Sequence, residues 1–270
     1  MLKITKYEPQ THLIRSLVKY FWVIDSSASN LMVNNTLLPV CNIDLILNFS
    51  NPITYINSEG NDETIVRGLH FNGISSKYRI LVQEGKLFVI GISFYPMGLY
   101  ALLQKPLYEY KDSTVDLNLV LREFTQKVAN LLEGAQTTTE KLFVLEQELT
   151  GFVNTECIPS SKTLNIYKAF YKNIMNSRIN EFCTCYGISQ RALERLFNKY
   201  IGICPKEFQK LARFQKIVNQ IMKSKYQDLT FLAHQYNYYD QNHFIKEFKS
   251  LAGATPTHFI NEKRSIKHII

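Results

Sequence analysis

The amino-acid sequence predicts an α+β protein: a β-rich front domain, then linker helices, then an all-α C-terminal domain with two helix-turn-helix motifs. Three observations predict it. Short β-branched and apolar runs separated by turn residues occupy positions 36–94. After Pro96 the apolar spacing changes to a helical period. The last third then repeats itself: Leu193, Phe197, Gly202, Pro205 and Phe208 recur 51 positions later as Phe244, Phe248, Gly253, Pro256 and Phe259.

In the front part, 36–40 and 43–49 read as strands, bounded by Asn51-Pro52, by Ser58-Glu59-Gly60-Asn61 and by Phe71-Asn72-Gly73. The run 87–94 is the clearest strand, and Glu84-Gly85-Lys86 before it reads as a hairpin turn. Several short strands with polar turns predict a small sandwich or barrel. Helices follow over 97–104, 117–132 and 139–152, with joints at 134–138 and 158–161. The expected division is therefore a β-rich sensor or association domain over 1–115, linker helices over 116–159 and a two-motif domain over 160–270.

Each motif of the last domain has the same internal logic. In the first, 178–186 is a supporting helix with Ile179, Phe182 and Cys183 facing inward, Gly187 makes the turn, and Ser189 caps the next helix. That helix, 190–200, buries Leu193, Leu196 and Phe197 and turns Arg191, Glu194, Arg195 and Asn198 outward. In the second, 229–236 supports through Leu232 and Ala233, Asp240 caps, and Phe244 and Phe248 are core. Gln241, Asn242 and Lys246 point outward; His243 is read equally as a phosphate contact or an idle surface group. Cys183 and Gly187 recur 50 positions later as Ala233 and Asn237, so the second copy has one extra residue in its turn. A long helix over 205–222, with proline in its first turn, joins the two.

Charge separates the halves. Residues 161–270 hold 18 Lys and Arg against 7 Asp and Glu, whereas residues 1–160 hold 13 against 16. The basic half has the charge of a nucleic-acid surface; charge alone favours a solvated lysine-rich helical face, and the repeated motif reverses that preference. A hydrophobic content of 46% supports packed cores over most of the 270 residues. There is no apolar run of membrane-spanning length, and Met1 to Lys6 lacks the pattern of a secretory signal. Five cysteines at irregular spacing fit a reduced, cytoplasmic protein.

Catalytic chemistry finds little support. Cys183-x-Cys185 has the wrong spacing for a structural zinc pair, and His70 is the only histidine in the strand region. No nucleophile elbow, zincin, P-loop or dinucleotide pattern is present. The expectation is a protein with no catalytic residues, no metal and no cofactor.

The segment from Ser177 to Ile260 resembles the tandem helix-turn-helix domain of AraC/XylS-type transcription regulators. The second copy carries Leu232-Ala233, Asn237-Tyr238, Asp240-Gln241-Asn242-His243-Phe244, Lys246-Glu247-Phe248-Lys249 and Gly253-Ala254-Thr255-Pro256. The first carries Gly187-Ile188-Ser189, Leu193, Arg195-Leu196-Phe197 and Gly202-Ile203-Cys204-Pro205. Arg213 stands where the family usually has arginine, and is read in preference as holding helices together. Two positions depart from the pattern: Asn237 replaces the usual turn glycine and Cys183 the usual alanine. Asn tolerates the left-handed conformation, and reduced Cys packs as a small hydrophobe. Leu37-Leu38-Pro39, Asp44 to Asn48 and Gly91 to Gly98 resemble a cupin-like front domain found in one branch of the same regulators.

This resemblance implies sequence-specific binding to a double-stranded promoter site, as activator or repressor. The DNA-binding residues it implies are Ser189, Gln190, Arg191, Glu194 and Arg195 in the first copy. In the second they are Asp240, Gln241, Asn242, His243 and Lys246. It further implies RNA polymerase as a partner and control by a small-molecule effector or by association through the front domain, and it leaves a homodimer open. Two rival readings remain: an interaction module that binds a protein instead of DNA, and an enzyme acting through the front domain.

Overall fold

The computed structural model describes residues 3–26, 31–175, 178–223 and 228–262. The strands are β1 (Lys3–Tyr7), β2 (Val18–Ser26), β3 (Met32–Leu37), β4 (Asp44–Asn57), β5 (Glu63–Asn72), β6 (Arg79–Glu84), β7 (Leu87–Phe94) and β8 (Thr114–Asp116). All pairings are antiparallel. The order is β1-β2-β7-β4-β5-β8, and β6 joins β3 to the far end of β4. The helices of the front and middle are α1 (His12–Leu17), α2 (Tyr100–Leu103), α3 (Leu117–Val120), α4 (Arg122–Gly134), α5 (Thr138–Phe152) and α6 (Ser161–Lys172). The last domain has α7 (Ile179–Tyr186), α8 (Gln190–Tyr200), α9 (Pro205–Lys223), α10 (Leu229–Gln235), α11 (Gln241–Ala252) and α12 (Pro256–Glu262).

The α+β class holds, and several front-domain expectations are corrected. β4 does not stop at Asn51-Pro52 but passes through it. Its pairing with β5 shifts register between Asn48 and Ile53, so proline sits where the ladder is already interrupted. The bulge is held by Asn48 Nδ2 and Gln83 Nε2, which both donate to the Asn51 carbonyl oxygen, at 2.7 and 2.8 Å. Of the strand expected at 36–40 only Thr36 and Leu37 are strand, as the end of β3. Gly85 (φ +92°) is a turn, but β6 pairs with β3 and β4 while β7 pairs with β2 and β4, so it is not a hairpin. The helix expected at 97–104 is reduced to α2, closed by Gln104 in the left-handed conformation. That expected at 117–132 breaks at Leu121 into α3 and α4. β1, α1, β2, β8, α6 and α12 carry no expectation above, and β5 and β6 fall in the strand region without having been delimited.

One apolar core runs through both domains, from Phe21, Phe71 and Ile92 to Phe197, Phe214 and Phe248. A second cluster, including Trp22, Ile53, Tyr55, Leu81 and Val89, lines the inner face of the sheet. The linker is tied down by Glu146 of α5, whose buried carboxylate accepts from the backbone amides of Gln10 and Thr11. Helix α5 begins in a capping box made by Thr137 and Glu140.

The front domain also touches both helix-turn-helix units. Lys111 Nζ donates to Glu207 Oε1 of α9 at 2.6 Å, and the rings of Tyr100 and Tyr200 meet edge-on at 4.7 Å. Gly202 (φ +100°) is pressed against Leu107, where a Cβ would lie 2.8 Å from the carbonyl oxygen. Gly253 (φ +78°) faces the ring of Tyr78, where a Cβ would lie 2.7 Å from a ring carbon.

Candidate nucleic-acid interface

The two units are built alike at the level of single hydrogen bonds. At the end of α7, Gly187 (φ +59°) reverses the chain and the Ile188 amide donates to the Cys183 carbonyl oxygen at 3.1 Å. At the end of α10, Asn237 (φ +56°) does the same and the Tyr238 amide donates to Ala233 O at 2.9 Å. Asn237 also donates from Nδ2 to the Met175 carbonyl oxygen at 2.6 Å, a contact that glycine could not make. Because the turn bonds match, the extra residue of the second copy is Tyr239, which is 91% exposed.

Caps then start the second helix of each unit. Ser189 Oγ accepts from the Ala192 amide at 3.2 Å, and Asp240 Oδ1 accepts from the His243 amide at 2.7 Å. Leu193, Phe197, Phe244 and Phe248 are fully buried, as are Leu232 and Ala233 in the supporting helix α10. Leu196 is only half-buried, short of the expected burial, and Asn198 is half-buried instead of outward. Cys183 is buried as the substitute for alanine; burial, with Glu194 nearby adding to it, raises its thiol pKa and keeps it a neutral packing group.

The expected contact residues lie on the surface. Ser189, Gln190, Arg191 and Arg195 are exposed and Glu194 is half-buried. Asp240, Gln241, Asn242, His243 and Lys246 are all exposed. Bonds organise some of them: Gln190 Nε2 donates to Glu194 Oε1 at 3.0 Å, Thr230 Oγ1 donates to Gln241 Oε1 at 3.3 Å, and the His243 ring meets Tyr238 edge-on at 5.3 Å. Thr230 and Tyr238 were not read as site residues; their partnerships cross the turn, and no periodicity reports them. Arg213 points inward to Glu247 and the face of Tyr238, the structural role expected of it. Ser177, where the resemblance begins, lies outside the described residues.

Between the inner face of the front sheet and helices α6 and α9 lies a cavity of about 990 Å³. Trp22, Ile24, Ile53, Leu81 and Val89 form its apolar wall, and Tyr55, Asn72 and Arg79 a polar one. Tyr167 of α6 with Phe214 and Val218 of α9 close the side facing the DNA-binding half. Arg79 Nη1 donates to Thr114 Oγ1 at 2.9 Å and to Asn72 Oδ1 at 3.3 Å, and desolvation depresses its pKa. Among the described residues no three His, Cys, Asp or Glu side chains group to hold a metal ion, and no helix is long and apolar enough to cross a membrane.

A family described as a helix-turn-helix domain matches residues 182–262, and a domain of unknown function (DUF6597) matches residues 5–116. No curated protein matches the chain. Among solved structures, an apo ToxT variant from Vibrio cholerae is 12% identical, covering 94% of this chain and 98% of its own, with a TM-score of 0.46. ToxT bound to (E)-4-(8-methylnaphthalen-1-yl)but-3-enoic acid is 11% identical over 87% of this chain and 100% of its own, with a TM-score of 0.48. An AraC-type regulator from Chromobacterium violaceum is 18% identical over 38% of this chain and 91% of its own, with a TM-score of 0.35. The matched helix-turn-helix stretch contains α8 and α11, whose turn bonds and caps are doubled in register.

Proposed function

We propose that α8 and α11 enter two successive major grooves of a promoter site, about 34 Å apart along one face of unbent DNA. Arg191, Glu194 and Arg195 of α8, with Gln241, Asn242 and Lys246 of α11, meet base edges. Ser189 and Asp240 cap the helices at the backbone, and Gln190 and His243 complete the two faces. Arginine pairs with guanine, glutamate accepts from cytosine, amides suit adenine, and lysine suits guanine or a phosphate. The observation that carries this is the matched pair of capped helices showing polar, exposed residues at equivalent positions on the strongly basic half of the chain.

The division of labour follows 1–115 for sensing or association, 116–159 for coupling and 160–270 for DNA. The cavity is the seat of a small-molecule effector: it is large, mostly apolar and walled on one side by α9, the helix between the two readers. Through the family resemblance, the proposal includes action in the cytoplasm without catalysis, contact with RNA polymerase and self-association through the front domain.

Binding of the full chain to genomic fragments, followed by sequencing, tests the DNA-reading assignment. A shared motif with two half-sites is expected, with affinity falling steeply as salt rises because phosphate counterions are released. Arg195→Ala should cost about 1–3 kcal/mol and relax one base position. Retention of all fragments alike would leave the protein-binding reading in its place.

A further inference from the structure

The two copies place the same amide at the same point and use it in opposite ways. Gln190 opens α8, and Gln241, 51 positions on, opens α11. Gln190 Nε2 donates to Glu194 Oε1 at 3.0 Å, one turn along its own helix. A carboxylate can only accept, so that amide is bound to spend a hydrogen there. The counterpart of Glu194 in the second copy is Ile245, which offers Gln241 nothing. Gln241 instead uses its oxygen, accepting from Thr230 Oγ1 at 3.3 Å across the turn from α10.

Resting on the DNA-reading function above, we propose that these two bonds set opposite hydrogen-bond polarities at equivalent places in the two half-sites. With a hydrogen committed to Glu194, Gln190 turns its carbonyl oxygen to the groove beside the second oxygen of Glu194. That acceptor pair selects bases with an exocyclic amino donor in the major groove, the N4 of cytosine or the N6 of adenine. With its oxygen committed to Thr230, Gln241 turns its two amide hydrogens to the groove. Two donors select guanine, whose N7 and O6 both accept. An unrestrained glutamine offers one donor and one acceptor and so suits adenine instead. Thr230 is thus a positioning residue for specificity: it acts on the base through Gln241. A site read by this protein is consequently asymmetric in chemistry, although its two readers are copies.

The test is sequence selection from a random duplex library with the full chain, comparing wild type, Gln241→Ala, Thr230→Val and Thr230→Ser. Gln241→Ala identifies the base that Gln241 reads. At that position wild type should select guanine, and Thr230→Val should raise adenine over guanine about tenfold. Thr230→Ser should restore guanine, and the half-site read by α8 should be unchanged throughout. Thr230 is exposed and valine is nearly isosteric with it, so the melting temperature should hold. Because a hydroxyl can also accept, the reverse bond is the direct rival: wild-type adenine at this position would overturn the proposal. So would a Thr230→Val variant that weakens all sequences alike, with DNA reading left intact. A wild-type selection yielding no motif would overturn both.

Discussion

Arg213 Nη2 donates to Glu247 Oε1 at 2.8 Å, tying α9 to α11. Tyr238 completes the joint: its hydroxyl donates to the same Glu247 oxygen at 2.6 Å, and its ring lies 4.4 Å from the guanidinium. Both side chains are largely covered, 24% exposed for Arg213 and 12% for Glu247. Removing one partner leaves the other charge poorly solvated.

Arg213→Ala should therefore destabilise the second unit by about 2–3 kcal/mol, read by urea unfolding and by faster amide exchange in α11. Arg213→Lys should recover only part of this, since a point charge cannot stack on Tyr238 and bond as the planar fork does. A changed base preference with unchanged stability would instead make Arg213 a DNA contact.

His70 gives the front domain a definite response to acid. It is fully buried, within 2.9 Å of the Tyr55 hydroxyl through Nε2 and 3.1 Å of the Gly68 carbonyl oxygen through Nδ1. Burial lowers its pKa from 6.5 to about 4. The unfolded chain therefore takes up a proton near pH 6.5 that the folded chain refuses. Stability should be unaffected above that value and decline between pH 6.5 and 4, by roughly 3 kcal/mol in all. Trp22, the single tryptophan, lies in the same domain and donates to Asp44 at 2.9 Å, so its fluorescence follows the loss. His70→Gln should flatten the profile over that window.

The contacts between the domains should differ sharply in strength. The Lys111–Glu207 pair is partly exposed, 33% and 41%, so Lys111→Ala should cost under about 1 kcal/mol. Gly202→Ala meets a left-handed backbone and the Leu107 carbonyl at once, and should cost about 1–3 kcal/mol or separate the domains. Limited proteolysis between the domains, together with thermal melting, distinguishes the two results.

Filling the cavity should uncouple sensing from DNA binding. Leu81→Trp places a large ring on the apolar wall, remote from α8 and α11. The wild type should brighten 1-anilinonaphthalene-8-sulfonate and the variant should not, while both hold the same promoter fragment with affinities within about threefold. Equal dye binding by both would place the apolar site elsewhere.

The last domain was legible because each element was written twice. The extent of α8 follows from Ser189, Leu193 and Phe197, and the second copy confirmed the period. The front domain has no such duplicate. Asn51-Pro52 is a turn signal on any local reading, and only the cross-strand bond from Gln83 explains how β4 continues through it. Helix α6 follows Pro159 closely and, apart from Phe170, its side chains are exposed or half-buried, which blurs its apolar stripe. The helical period turned Arg191, Glu194, Arg195, Gln241, Asn242 and Lys246 outward, and the family resemblance supplied the rest of the ten expected contact residues. The polarity of Gln190 and Gln241 was not legible, because it depends on which neighbour each amide meets.

Gly202 and Gly253 are counterparts in the two copies, and both abut the front domain, one at Leu107 and the other at Tyr78. The front domain thus rests on the same corner of each duplicate, as a gauge block rests between two jaws. Any tilt of that domain displaces the jaws together and alters the gap between them. Operators lengthened by one base pair between their half-sites should then be discriminated less sharply by Tyr78→Ala than by the intact protein, as competition binding would report.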